Sequence, residues 1–98
     1  MNTNKVHRLH ATIEGLVQGV GFRYFVLRSA QANNLKGWVR NRHDGRVEVT
    51  AQGELAHLNR LLADLRTGPL SAQVEKVDYD YSEESRGDFS GFKVLSTA

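Results

Sequence analysis

Hydrophobic and polar positions alternate strictly near the start of the chain. His7, Leu9, Ala11 and Ile13 share one side, and Arg8, His10, Thr12 and Glu14 the other. This two-residue period predicts a half-buried strand over residues 9–14. The period then changes. Phe22, Phe25, Val26 and Ala30 fall at helical spacing, which predicts a helix over 22–33. Asn33 and Asn34 should end it, because Asn tolerates the left-handed conformation found past a helix C-terminus. Residues 35–41 read as a second strand, with Gly37, Val39 and Asn41 on one face and Trp38 and Arg40 on the other. Arg42-His43-Asp44-Gly45 supplies a hairpin turn. Val47, Val49 and Ala51 then alternate with Glu48, Thr50 and Gln52 as a third strand.

After Gly53, Leu55, Leu58, Leu62 and Leu65 form an apolar stripe that predicts a second helix. Glu54 should sit at its positive end, and Gly68-Pro69 should stop it. Val77, Tyr79 and Tyr81 alternate with Asp78 and Asp80 as a fourth strand. Residues 83–90 read as a polar loop. Phe92 and Val94 flank Lys93 in a short final strand at a sheet edge, and residues 1–5 are expected to fray.

The order β-α-β-β-α-β with a short extra C-terminal strand is the ferredoxin-like plan. It predicts an α+β sandwich with both helices on one face of a mostly antiparallel sheet. The first and second strands, joined by a helical crossover, should run in the same direction. Their C-terminal ends then lie at one edge of the sheet, so residues just after the first strand should converge with Asn41.

Composition narrows the possibilities. A chain of 98 residues fits a single domain, 1–98, with one core. Hydrophobic residues at 40% and charged residues at 24% indicate a globular chain rather than a disordered one. The absence of cysteine excludes disulfides, thiol nucleophiles and zinc–thiolate sites, and is compatible with the reducing cytoplasm, the expected location. No apolar run reaches membrane-span length, so no membrane association is expected. A net charge of +2 is too small to argue for nucleic acid.

Candidate chemistry centres on Gly15-Leu16-Val17-Gln18-Gly19-Val20-Gly21-Phe22-Arg23. A glycine-rich turn between a strand and a helix exposes backbone N–H groups where the helix dipole favours an anion. Arg23, in the first helical turn, adds a planar donor fork suited to phosphate. The segment fits neither common nucleotide loop, because position 24 is Tyr24 and no Gly-Lys-Ser/Thr triplet occurs. Tight packing is the competing explanation for its glycines. Asn41 also reads two ways: as turn chemistry, or as a neutral amide that orients a water beside a phosphoryl group.

Two segments resemble the acylphosphatase signatures. Residues 15–23 resemble the first, and Gly37-Trp38-Val39-Arg40-Asn41-Arg42-His43-Asp44-Gly45-Arg46-Val47, closing at Gly53, resembles the second. The order and the helix-length gap between them also match. The resemblance implies hydrolysis of the carboxyl–phosphate bond of a small-molecule acyl phosphate, with no cofactor and no metal. It implies that Arg23 binds the phosphate and Asn41 positions the water. The loop of Leu16, Val17, Gln18, Gly19, Val20 and Gly21 would complete the cradle. A monomer is expected.

Other candidates are weaker. His7 and His10 point to opposite faces of a strand, cannot share one metal, and read as surface or edge residues. His43 and His57 have no ligand partner at suitable spacing. Arg40, Arg42 and Arg46 form a modest basic cluster that reads as a solvated face. RNA-binding modules share the fold plan, but the third strand has no aromatic residue to stack a base. A phosphate-binding domain without turnover is a better rival. Carbamoyl-phosphate handling is a closer variant, since acylphosphatase-like domains also occur in carbamoyl-transfer enzymes.

Overall fold

The computed structural model describes residues 6–84 and 89–98. The expected fraying of residues 1–5 and the centre of the polar loop, 85–88, fall outside the described residues. The elements are β1 (Val6–Leu16), α1 (Phe22–Ala32), β2 (Lys36–Asn41), β3 (Val47–Gly53), α2 (Leu55–Thr67), β4 (Gln73–Glu84) and β5 (Phe92–Val94). They form one five-stranded sheet in the order β4-β1-β3-β2-β5. β1 pairs antiparallel with β3 and β4, β2 pairs antiparallel with β3, and β5 pairs parallel with β2. Because β3 is antiparallel to both β1 and β2, those two strands run the same way. This is the predicted ferredoxin-like arrangement, with β5 on the outer edge beside β2.

Alternation decides which face is covered. Leu9, Ala11 and Ile13 of β1, Val39 of β2, and Val47, Val49 and Ala51 of β3 are all buried on one side of the sheet. Phe22, Val26 and Ala30 of α1 and Leu58, Leu61, Leu62 and Leu65 of α2 close over them as one core. The helices also bond to each other, since Ser29 Oγ donates to Asp64 Oδ2 at 2.6 Å. The buried stripe of α2 contains Leu61, and Leu55 at the helix start is 42% exposed. The repeat that matters is therefore 58, 61, 62 and 65, spanning two turns of one face. Leu61→Ala should lower stability by about 2–5 kcal/mol through lost burial and a residual cavity, as measured by urea unfolding.

The α1 C-terminus ends as its two asparagines suggest. Asn34 takes the left-handed conformation with φ 57°. Its N–H donates to the Gln31 carbonyl, and the Leu35 N–H reaches back to Ala30, which is the Schellman pattern. That stop turns the chain directly into β2.

β4 and β1 run longer than alternation alone indicated. β4 continues to Glu84, so Glu83 belongs to a strand rather than to the polar loop. β1 continues past Glu14 to Leu16 through an irregularity in its pairing with β4 between Glu14 and Gly15. Gly15 has φ 131°, and a Cβ there would run into the Gln73 backbone carbonyl, so both conformation and close approach require glycine. Among the described residues no helix is long and apolar enough to cross a membrane.

Candidate active site

β1 and β2 end at the same edge of the sheet, and the two candidate segments lie there. Asn41 is the last residue of β2. By the two-residue period of a strand it projects on the same face as buried Val39, the face that the helices cover. The loop leaving β1 enters α1 at Gly21, which caps the helix in a left-handed conformation with φ 79°. Only glycine adopts this turn at little cost. Val17 anchors the loop in the core, whereas Leu16 and Gly19 face solvent.

Among the described residues no side chain caps α1 at its N-terminus, and its first turn carries no acidic residue. The first N–H to find a carbonyl there is that of Phe25, which donates to Gly21. Among the described residues, no backbone acceptor meets the N–H groups from Val17 to Tyr24. A row of free donors at the positive end of a helix dipole is an anion-receptive surface. Arg23 lies in that first turn, half-buried, and no carboxylate pairs with it among the described residues.

Gln18 joins the two segments. Its Nε2 donates to the Arg42 carbonyl at 2.8 Å and to the Arg46 carbonyl at 2.9 Å. Arg42 follows Asn41 directly, and its own N–H donates to Arg46 across the hairpin at 2.8 Å. The Gln18 side chain is therefore a tether between the loop and the β2–β3 turn. A hydrogen-bonding amide in a glycine-rich loop was visible in the sequence, but its distant carbonyl partners were not.

A second cluster stands on the opposite, helix-free face. Glu48 is buried there and accepts from three groups: His10 Nε2 at 2.7 Å, Arg40 Nε at 2.9 Å and Arg42 Nη1 at 3.3 Å. His10 is thus more than an edge residue. Arg42 also bonds Asp44 at 3.1 Å, and Arg46 pairs with Glu14 at 3.3 Å. The basic cluster read as a solvated face is consequently neutralised by local carboxylates. Arg40 also stacks over Trp38, 4.8 Å from its ring centre.

Burial pushes the Glu48 carboxyl up, but the bonds from His10 and Arg40 outweigh it and hold the group below the ordinary carboxylate range. A carboxylate depressed in the folded state stabilises fully above its unfolded value, about 4.3, and loses that contribution as pH falls through its folded value. Glu48→Gln should therefore cost about 1–3 kcal/mol at pH 7, with the deficit shrinking in acid. Urea unfolding of both proteins at pH 7 and again below the carboxylate range checks this.

A depression of about 350 Å³ nearby is lined by Glu14, Gly15, Asp44, Gly45, Arg46 and Glu75. Three carboxylates around one paired arginine disfavour a phosphate, so the anion-receptive surface is the loop and helix start rather than this depression. Among the described residues, no group of three or more His, Cys, Asp or Glu side chains could hold a metal ion.

Fold and loop together define a small ferredoxin-like α+β domain with an anion-receptive loop at one sheet edge. The acylphosphatase family model matches residues 9–94. An acylphosphatase of Acaryochloris marina is 49% identical over 87 residues, covering 89% of this chain and 91% of that protein. The crystal structure of acylphosphatase from Bacillus subtilis superposes with a TM-score of 0.86 at 35% identity, covering 91% of this chain and 98% of that one. A full-length HypF structure in its phosphate- and nucleotide-bound form matches at 29% identity and TM-score 0.81. It covers 94% of this chain but 12% of that one. The chain belongs to the acylphosphatase family, and that membership assigns it acylphosphatase activity.

Proposed function

We propose that the protein hydrolyses acyl phosphates by holding the phosphoryl group on the loop from Leu16 to Gly21 and on Arg23, while Asn41 orients the attacking water. The observation that carries this reading is the α1 N-terminus, whose amides and Arg23 meet no backbone acceptor or carboxylate among the described residues, tied through Gln18 to the turn that follows Asn41. The water oxygen bonds to phosphorus as the phosphorus–oxygen bond to the acyl group breaks. The carboxylate leaves as an anion, so no general acid is needed. The water's proton passes to a phosphoryl oxygen of the substrate. Donors fixed in advance around the phosphoryl group stabilise the charge that develops there. This domain acts as a monomeric cytoplasmic enzyme without metal or cofactor.

Steady-state hydrolysis of acetyl phosphate in the presence of EDTA tests the reading, with carbamoyl phosphate assayed alongside. Turnover of acetyl phosphate is expected, with a pH–rate profile that needs no enzyme base near neutrality. Phosphate binding without turnover would instead make this a ligand-binding domain. Turnover confined to carbamoyl phosphate would move the substrate to that variant.

A further inference from the structure

We infer that the segment following β5 is a positioning element for Asn41, acting through the main-chain N–H of Ala98. The inference rests on the reading of Asn41 as the residue that orients water.

A line of backbone bonds runs along the side of β2 away from β3. Gly37 N–H donates to the Gly91 carbonyl at 2.8 Å. β5 then runs parallel to β2 in the register Gly37↔Phe92, Trp38↔Lys93 and Val39↔Val94. Leu95 N–H donates to Val39 at 2.9 Å, and Ala98 N–H donates to Asn41 at 3.0 Å. Finally, His43 N–H donates to the Ala98 carbonyl at 2.7 Å. Backbone groups point to alternate sides along a strand. Residues 37, 39 and 41 therefore turn theirs away from β3 and toward this segment. The Asn41 carbonyl is braced by Ala98, while the neighbouring Arg42 N–H is braced across the hairpin by Arg46.

The register slips on the way. In a regular parallel ladder, with Val94 opposite Val39 and the Leu95 N–H on the Val39 carbonyl, the N–H of residue 97 would reach Asn41, but that of residue 98 arrives instead. The extra residue ends regular pairing after Val94, and the chain rejoins β2 at Asn41. Ser96, Thr97 and Ala98 are all exposed, so their side chains add nothing to the core. What the segment supplies at this point is a hydrogen bond to the peptide unit that carries the Asn41 side chain. Small displacements of an orienting group are costly in rate because in-line attack tolerates little error.

Ala98→Pro removes this N–H and Ala98→Gly keeps it. A chain ending at Leu95 removes it without the proline ring. Each is assayed for acetyl phosphate turnover and for inhibition by inorganic phosphate, in the Asn41 and the Asn41→Ala backgrounds. The proline and shortened forms should lose about three- to tenfold in kcat, the range for one ordinary hydrogen bond felt only in the transition state. Phosphate inhibition should be unchanged, and Ala98→Gly should match the parent. In the Asn41→Ala background the same changes should have no further effect, because coupled residues are not additive.

Equal losses in both backgrounds would overturn the inference, since Ala98 would then act independently of Asn41. So would parental kcat in both donor-deleted forms while Asn41→Ala is impaired. If Asn41→Ala itself keeps parental turnover, the reading of Asn41 fails first and the inference falls with it.

Discussion

Asn41→Ala is expected to lower kcat for acetyl phosphate by about 10²- to 10³-fold while leaving inhibition by inorganic phosphate nearly unchanged. Asn41 stands at the end of β2 on the helix-covered face, beside the turn to which Gln18 ties the loop. An amide can accept from water with its oxygen and donate to a phosphoryl oxygen with its nitrogen. Alanine does neither, so water still enters the site but no longer waits in line with the bond that breaks. The phosphate keeps its partners on the loop and at Arg23, so ground-state binding should persist. Asn41→Asp should behave differently. A carboxylate beside a phosphoryl dianion repels it, so this variant should lose phosphate affinity as well as rate. Kinetics with acetyl phosphate, phosphate inhibition and circular dichroism of the three proteins separate these outcomes. Parental kcat in Asn41→Ala would return Asn41 to ordinary turn chemistry.

The convergence behind this prediction was legible in the chain because it depends on few features. A strand, a glycine turn, a helix and a second strand force two strand ends to one edge when the crossover is right-handed. The alternation of Gly37, Val39 and Asn41 already put Asn41 on one face with Val39, and burial of Val39 makes that the covered face. The Asn pair after α1 marked its end for a local reason, the left-handed turn at Asn34.

What escaped the sequence depends on partners far along the chain. In the sequence Glu48 only alternates with Val47 and Val49, and nothing there marks it as buried. It is buried because β3 is flanked by β1 and β2, which bring His10 and Arg40 onto it. Gln18 reads as one member of the phosphate-binding loop, and its tie to the hairpin carbonyls of Arg42 and Arg46 is visible only in the fold. The bond from Ala98 to Asn41 has no signature in residue type, since a backbone N–H is common to all residues but proline. Alternation also understated β1, because the irregularity at Gly15 breaks its period before the strand ends.

Arg23→Gln should lower kcat/KM by about 10³-fold or more and weaken phosphate inhibition together with it. The guanidinium offers a planar fork to two oxygens of one phosphoryl group, in the ground state and more strongly as charge builds in the transition state. Arg23→Lys should recover a small part of the loss, since it restores the charge but not the fork. Stability should move the other way. Arg23 places a cation in the first turn of α1, at the positive end of the helix dipole, with no carboxylate partner among the described residues. A helix built only to fold would favour an acidic residue or a capping side chain there. Arg23→Gln is therefore expected to keep or slightly raise stability, by up to about 1 kcal/mol at low salt, read as an equal or higher urea midpoint. Inorganic phosphate should raise the midpoint of the parent protein, because it binds only the folded state, and should do so less in the variant. A lower midpoint in Arg23→Gln without phosphate would make Arg23 a structural residue. Loss of activity with stability kept or gained is the pattern expected of a residue held against local preference for its chemistry.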